Sequence, residues 1–234
     1  MNKTIGIIGG MGPLATVKLF EKIVLLTNAE TDQEHLHILV DNNTSIPDRT
    51  DFILGKTSTN PIEQLILSAK KLESMGADFL IMPCNTAHYF FNDLVKAVTI
   101  PVVNMIEETA KYICETYENI NTVGLLSTEA TANKQLYENI FNNYGLNIIK
   151  PSIESQNNIT ELIYSIKSGI EYKYISKVYS VMKEIENKGT DLFILGCTEL
   201  PIAVDLYKIE GTFIDTLEIL ALKSIEYAKV NIHI

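Results

Sequence analysis

Gly76-Ala77-Asp78-Phe79-Leu80-Ile81-Met82-Pro83-Cys84-Asn85-Thr86 is matched later in the chain by Gly189-Thr190-Asp191-Leu192-Phe193-Ile194-Leu195-Gly196-Cys197-Thr198-Glu199. In both stretches Gly-x-Asp leads into a run of apolar residues, then a cysteine, then small polar residues. A short apolar run after such a turn reads as a fully buried strand of a parallel sheet. The cysteine stands six residues after the Asp in each copy, at the strand's carboxyl end. That end is where open α/β sheets bind ligands. Two thiols delivered to equivalent strand ends suggest a pair of acid–base groups. The third cysteine, Cys114, lies in the helical stretch Met105–Tyr117 and reads as a small buried hydrophobe.

Outward from these strands the chain repeats itself. Ile5–Ile8 is a strand, followed by Gly9-Gly10-Met11-Gly12-Pro13 and a helical pattern from Leu14 to about Asn28. His37–Val40 is a second strand and runs into a polar loop from Asp41 to Thr50. Pro61–Met75 has helical spacing, with Pro61 suited to a first turn. After the first cysteine strand come a helix from Thr86 to Val98, a strand Ile100–Val103 and the helix Met105–Tyr117. The pattern then restarts. Val123-Gly124-Leu125-Leu126-Ser127-Thr128 resembles Ile5-Gly6-Ile7-Ile8-Gly9-Gly10, and Thr131–Tyr144 and Leu146–Ile149 are the next helix and strand. Helices over Asn158–Ser168 and Ile175–Asn187 precede the second cysteine strand. Gly6 and Gly124 are 118 residues apart, Cys84 and Cys197 113, so the chain reads as a duplication with a small deletion. The expected fold is α/β: two similar Rossmann-like domains with parallel sheets, related by a pseudo-twofold, with the active site in the cleft between them. The expected division is 1–102 plus 212–234 for the first domain and 103–211 for the second.

Composition narrows the function. The formal net charge of −10 and the lack of a long basic stretch argue against nucleic acid as a partner. The acidity would also repel an anionic substrate, so such a substrate needs local cations. No apolar stretch approaches a membrane span, and Met1-Asn2-Lys3-Thr4 runs straight into a strand without a signal-peptide core. Three widely spaced cysteines form neither a disulfide framework nor a zinc spacing. A reducing, cytoplasmic setting is therefore expected, with no metal.

Several motifs need weighing. Gly10-Met11-Gly12-Pro13-Leu14-Ala15 formally fits the dinucleotide fingerprint, and Asp41 could meet a ribose. A nicotinamide enzyme would leave the two thiols unexplained, however. Backbone N–H groups at this helix N-terminus suit any anion, a carboxylate included. Gly55-Lys56-Thr57 is no P-loop, because Thr50 stands where the first glycine is required. Arg49 is the only arginine; the other 18 cations are lysines. It lies in the loop after the second strand, and a guanidinium grips a carboxylate through two parallel hydrogen bonds that lysine cannot copy. Lys167 reads as a cation closing a helix before Gly169. His35, His37 and His88 have no partner at ligand spacing.

Gly9-Gly10-Met11-Gly12-Pro13, Ile46-Pro47-Asp48-Arg49-Thr50, Pro83-Cys84-Asn85-Thr86-Ala87-His88 and Gly196-Cys197-Thr198-Glu199-Leu200 together resemble the aspartate/glutamate racemase family, in particular its aspartate racemase branch. The likeness spans nearly the whole chain in the family's motif order. It implies racemisation of a small amino acid by two cysteines, Cys84 and Cys197, without pyridoxal phosphate or any other cofactor, in a homodimer. It also implies that Arg49 and Lys167 bind the substrate's carboxylates, and that Asn85, Thr86 and Thr198 hold the amino acid. Met11, Asn43, Thr128 and Glu199 complete the candidate substrate-binding set. Glutamate racemases usually carry His where this chain has Glu199, which favours aspartate, with glutamate as a second substrate. Two readings stand beside this one. One is a non-catalytic amino-acid-binding module. The other is a different isomerase of the superfamily, such as a hydantoin racemase or maleate isomerase.

Overall fold

The structure, a computed structural model, describes residues 2–229; expectations for residue 1 and residues 230–234 lie outside them. Its elements in chain order are β1 (Ile5–Gly9), α1 (Pro13–Leu26), β2 (Ile38–Asn42), α2 (Arg49–Ile53), α3 (Ile62–Ser74), β3 (Phe79–Ile81), α4 (Phe91–Ala97) and α5 (Met105–Thr116). Then follow β4 (Thr122–Ser127), α6 (Glu129–Asn133), α7 (Glu138–Phe141), β5 (Asn147–Ile149), α8 (Ile153–Ser168), α9 (Ile175–Glu186), β6 (Leu192–Gly196), α10 (Leu200–Tyr207), β7 (Thr212–Asp215) and α11 (Thr216–Lys229). The chain forms two compact units. One runs to Glu108 and resumes at Leu217; the other is Thr109–Thr216. The sequence reading drew these crossings at 102/103 and 211/212. The second falls later because β7 pairs with β6.

The first unit holds a parallel sheet in the order β2-β1-β3. Its alternation sorts the core. Ile5, Ile7, Phe79 and Ile81 pack with α1 and with Leu217, Leu220 and Ala221 of α11. Ile8, Leu80 and Met82 pack with Leu65, Ala69 and Leu72 of α3. Gly6 leaves room for this approach, since a Cβ there would come within 2.6 Å of Leu80 Cδ2 and 2.9 Å of the Ala77 Cβ. The expected strand Ile100–Val103 shrinks to one parallel bridge, Leu80 with Val102. Pro101 has no N–H for a ladder, so its carbonyl only accepts from Leu80 N.

The second unit holds the parallel sheet β5-β4-β6-β7. Leu126, Phe193 and Leu195 pack with residues of α8, α9 and α10, including Leu162, Ile163, Val181, Ile185 and Ala203. Gly124 repeats the role of Gly6, because a Cβ there would meet Ile185 Cγ2 at 2.7 Å. Both sheets thus place the first strand between the second and the cysteine strand. The expected helix Thr131–Tyr144 is broken. Gln135 takes φ 53°, and the segment divides into α6, α7 and a 3-10 turn at Asn142–Tyr144. Asn133, Asn139, Asn142 and Asn143 weaken a continuous helix here, because short amides compete for backbone hydrogen bonds. Among the described residues no helix is long and apolar enough to cross a membrane.

Candidate active site

β3 ends at Ile81, and Pro83 cannot extend a ladder. The chain turns as Cys84 N donates to Met82 O (2.8 Å). A 3-10 helix over Thr86–Phe90 follows in place of an α-helix from Thr86, and α4 begins only at Phe91. Cys84, Asn85 and Thr86 are all buried. Met11 and Ile46 belong to the same apolar cluster as Cys84. His88 is buried too. Its Nε2 accepts Met105 N–H (3.1 Å), so the ring proton lies on Nδ1, which donates to Cys84 O (2.9 Å). Burial lowers its pKa to about 4, against a weaker opposing effect of the Cys84 carbonyl.

The turn from β1 to α1 lies against the loop that follows β2. Gly10 has φ 91°, and a Cβ on it would come within 2.3 Å of the Asn43 backbone. Asn43 itself is occupied. Its Oδ1 accepts from Ser45 N and Oγ, and its Nδ2 donates to Ser68 Oγ (3.2 Å). Asn43 therefore shapes the loop through its side chain. The next residues depart from the sequence reading in one respect, since it places Arg49 in the polar loop after the second strand. Asp48 instead caps α2, accepting from Asp51 N (2.9 Å), and Arg49 is the first residue of that helix. The cap signal, Asp with a second acidic residue three positions on, is legible in the sequence. Arg49 is only 8% exposed. Its Nη1 donates to the carbonyls of Ile46 (3.2 Å) and Pro47 (3.0 Å), while its buried Nε has no partner.

In the second unit β6 delivers Cys197, which is free and buried like Cys84. Its Sγ donates to Glu199 Oε2 (2.9 Å), and Thr198 Oγ1 donates to the same oxygen (3.4 Å). Burial pushes the Cys197 thiol well up, the Glu199 carboxylate pushes it further, and the Lys167 ammonium works against both. Lys167, near the end of α8, lies with its Nζ 5.3 Å from the Tyr164 ring centre. The structure thus brings Lys167 into the electrostatic neighbourhood of Cys197 and Glu199, which spacing alone did not reveal. Thr128 caps α6, with its Oγ1 accepting from Thr131 N (3.3 Å).

Tyr137 is a residue that sequence reasoning missed. It is fully buried, and burial drives its phenol pKa upward. A hydrogen bond with Thr216 opposes that rise, and the Cys197 charge adds to it. Thr216 Oγ1 in turn donates to Leu195 O, two residues before Cys197 (3.1 Å). Its sequence signal is absent, because Tyr137 looks like any aromatic on a helix. Cys114 is a correction: it is exposed, not a buried hydrophobe. Among the described residues no group of three or more His, Cys, Asp or Glu could hold a metal ion. A separate cavity of about 280 Å3, lined by Asn133, Lys150, Gln156 and Asn157 among others, includes neither thiol.

The family model for Asp/Glu/hydantoin racemases matches residues 8–223. The broad specificity amino-acid racemase RacX of Bacillus subtilis (strain 168) is 28% identical over 227 residues, covering 93% of this chain and 94% of that one. The structure of Picrophilus torridus aspartate racemase is similar at a TM-score of 0.79 with 33% identity, covering 97% of this chain and 94% of that one. An aspartate racemase homologue from Pyrococcus horikoshii OT3 is similar at a TM-score of 0.77 with 26% identity, covering 97% and 100%.

Proposed function

This chain belongs to the Asp/Glu/hydantoin racemase family and is an amino-acid racemase; we propose that it racemises aspartate, with glutamate as a second substrate, by two-base chemistry at Cys84 and Cys197. The observation that carries the mechanism is the repetition. Each unit ends its third strand with a buried free thiol followed by hydroxyl, amide or carboxyl side chains. Inverting an α-carbon means removing its proton from one face and returning one to the other. A single base would have to travel around the substrate, whereas two bases need not move.

In one direction Cys84 acts as thiolate and takes the α-proton, and Cys197 as thiol supplies a proton to the opposite face. The product leaves with Cys84 protonated and Cys197 ionised, which is the state required for the reverse reaction. Glu199 suits Cys197 to the acid role by keeping its proton in place. Lys167 stabilises the thiolate that remains after donation. A free thiol has a pKa of ~8.5, far below that of an amino-acid α-proton. Fixed cations and N–H donors on the α-carboxylate must therefore stabilise the developing carbanion.

Arg49 supplies the anion specificity. Leaving a buried charged donor unpaired costs on the order of 1–3 kcal/mol or more, and a substrate carboxylate at Nε removes that cost. Asn85, Thr86 and Thr198 contribute polar contacts, Asn43 orders the loop after β2, and Thr128 caps α6. Met11 belongs to the apolar cluster that includes Cys84. The family resemblance adds the expectations of a homodimer and a cytoplasmic setting. Chiral chromatography of L-aspartate, D-aspartate and L-glutamate incubated with the protein tests the reading. Each is expected to approach a 1:1 mixture with EDTA and hydroxylamine present. The name of the Bacillus relative recommends adding a panel of neutral amino acids. Faster turnover of neutral substrates than of aspartate would sink the carboxylate role of Arg49, and no racemisation of either acid would sink the proposal.

A further inference from the structure

We infer that His88 is a positioning residue: its Nδ1–H holds the Cys84 carbonyl and so fixes the turn that carries the thiol, while its Nε2 accepts the first N–H of α5. This rests on the two-base reading above, in which Cys84 is one of the bases. A helix N-terminus presents N–H groups that the helix itself cannot satisfy. In α5 the N–H groups of Ile106 and Glu107 donate to Asn104 Oδ1 (3.0 and 3.2 Å), and Glu108 N–H donates to Asn104 O (2.9 Å). Met105 N–H is left, and His88 Nε2 takes it. The other nitrogen, as Nδ1–H, holds the carbonyl of Cys84 itself. Phe91 lies parallel to the ring within 5°, at 5.9 Å between centroids. One rigid neutral imidazole thus joins the thiol's own peptide group to the helix that leads from the first unit into the second. Burial keeps the ring neutral, and only the neutral ring offers both a donor and an acceptor.

Two amide substitutions separate the two bonds. An Asn amide reaches the place of Nδ1 and can still donate to Cys84 O. A Gln amide reaches the place of Nε2 and can accept from Met105 N–H, but it leaves Cys84 O unheld. His88→Asn and His88→Gln are compared with the parent protein in two measurements. The first is site-resolved alkylation by iodoacetamide, read by mass spectrometry, with Cys197 and Cys114 as references in the same sample. The second is exchange of the α-proton of L- and D-aspartate in D2O. In His88→Gln the Cys84 alkylation rate is expected to change by about tenfold or more, the scale on which ångström-sized misplacement of a reacting group acts. Exchange should fall comparably for one enantiomer only. Cys197 alkylation and exchange of the other enantiomer should stay within about twofold. In His88→Asn all four quantities should stay near the parent values.

Equal effects of the two substitutions, or parallel loss for both enantiomers, would overturn the inference, as would failure of both variants to fold. The alkylation arm needs no turnover. If the parent protein proves inactive on aspartate and glutamate, the aspartate/glutamate reading fails, yet the effect of His88 on Cys84 is still decided.

Discussion

A guanidinium shielded from water with its Nε unpaired is a liability in any protein that never meets an anion. The backbone bonds from Nη1 fix Arg49 in one orientation without neutralising it. Arg49→Lys keeps the charge and loses both the fork and the Nε donor. It should cost roughly 2–5 kcal/mol in kcat/KM, the scale for breaking a desolvated charged pair. Steady-state kinetics on aspartate would check this, and near-parental values would mean that no carboxylate is held there. Cys197 offers a second test of the same kind. The neighbouring Glu199 carboxylate adds to the upward effect of burial on the thiol. Glu199→Gln removes that negative charge, so the pH profile of Cys197 alkylation should move to lower pH. A profile that stays in place or rises would show that the carboxylate does not govern the thiol. The contribution of Lys167 could not be read from spacing. Lys167 lies 30 residues before Cys197, and only the packing of α8 beside β6 makes its charge felt there.

At the scale of elements, two helix starts are pinned by groups whose protonation breaks the pin. Glu184 on α9 accepts from Ser152 N (2.8 Å) at the start of α8 and from Lys188 (2.8 Å). Burial alone would raise its pKa, but the bonds from Lys188, Ser155 and Ser152 outweigh it and bring the value down to about 2. That depressed value means stability present above the unfolded pKa of about 4.3 and lost as pH falls toward 2. With the side chain 24% exposed, solvent screening leaves about 1–2 kcal/mol. His88 works with the same sign at higher pH. Its folded pKa of about 4 lies below the unfolded value of about 6.5, so the unfolded state binds the extra proton first. Stability is full above pH 6.5 and falls by about 3 kcal/mol down to pH 4. Urea titrations between pH 7 and 3 should show this descent, with a shallower slope from pH 6.5 to 4 in His88→Asn. A parent protein equally stable at pH 7 and 4 would contradict it. The strands were legible because buried parallel strands are short, apolar and bounded by turns. β1, β3, β4 and β6 lie where the pattern put them. The element reading failed where one residue decides, at Pro101 in the reduced fourth strand and at Gln135 in the broken helix.

For the whole molecule, duplication is the organising fact. Each unit repeats a parallel sheet with the first strand between the second and the third, a glycine that admits a close helix, and a thiol where the third strand ends. The repeat was visible in the sequence because its constraints fall on single residues: Gly6 and Gly124, Asp78 and Asp191, Cys84 and Cys197. Of what surrounds the thiols, His88 and Glu199 stand in the same motifs as Cys84 and Cys197, while Lys167 and Tyr137 were not visible because they come from elements distant in sequence. Cys84 is framed by His88 and Cys197 by Glu199, Lys167 and Tyr137, so the two halves have diverged in the chemistry around a common plan. The central claim is that these thiols serve opposite faces of one α-carbon. Proton NMR of L- and D-aspartate in D2O with Cys84→Ala and with Cys197→Ala tests it most directly. Both variants should lose racemisation. Each should still exchange the α-proton of one enantiomer without inverting it, and the two should prefer opposite enantiomers. A variant that racemises at a substantial fraction of the parent rate, or two variants that exchange the same enantiomer, would contradict the two-base account.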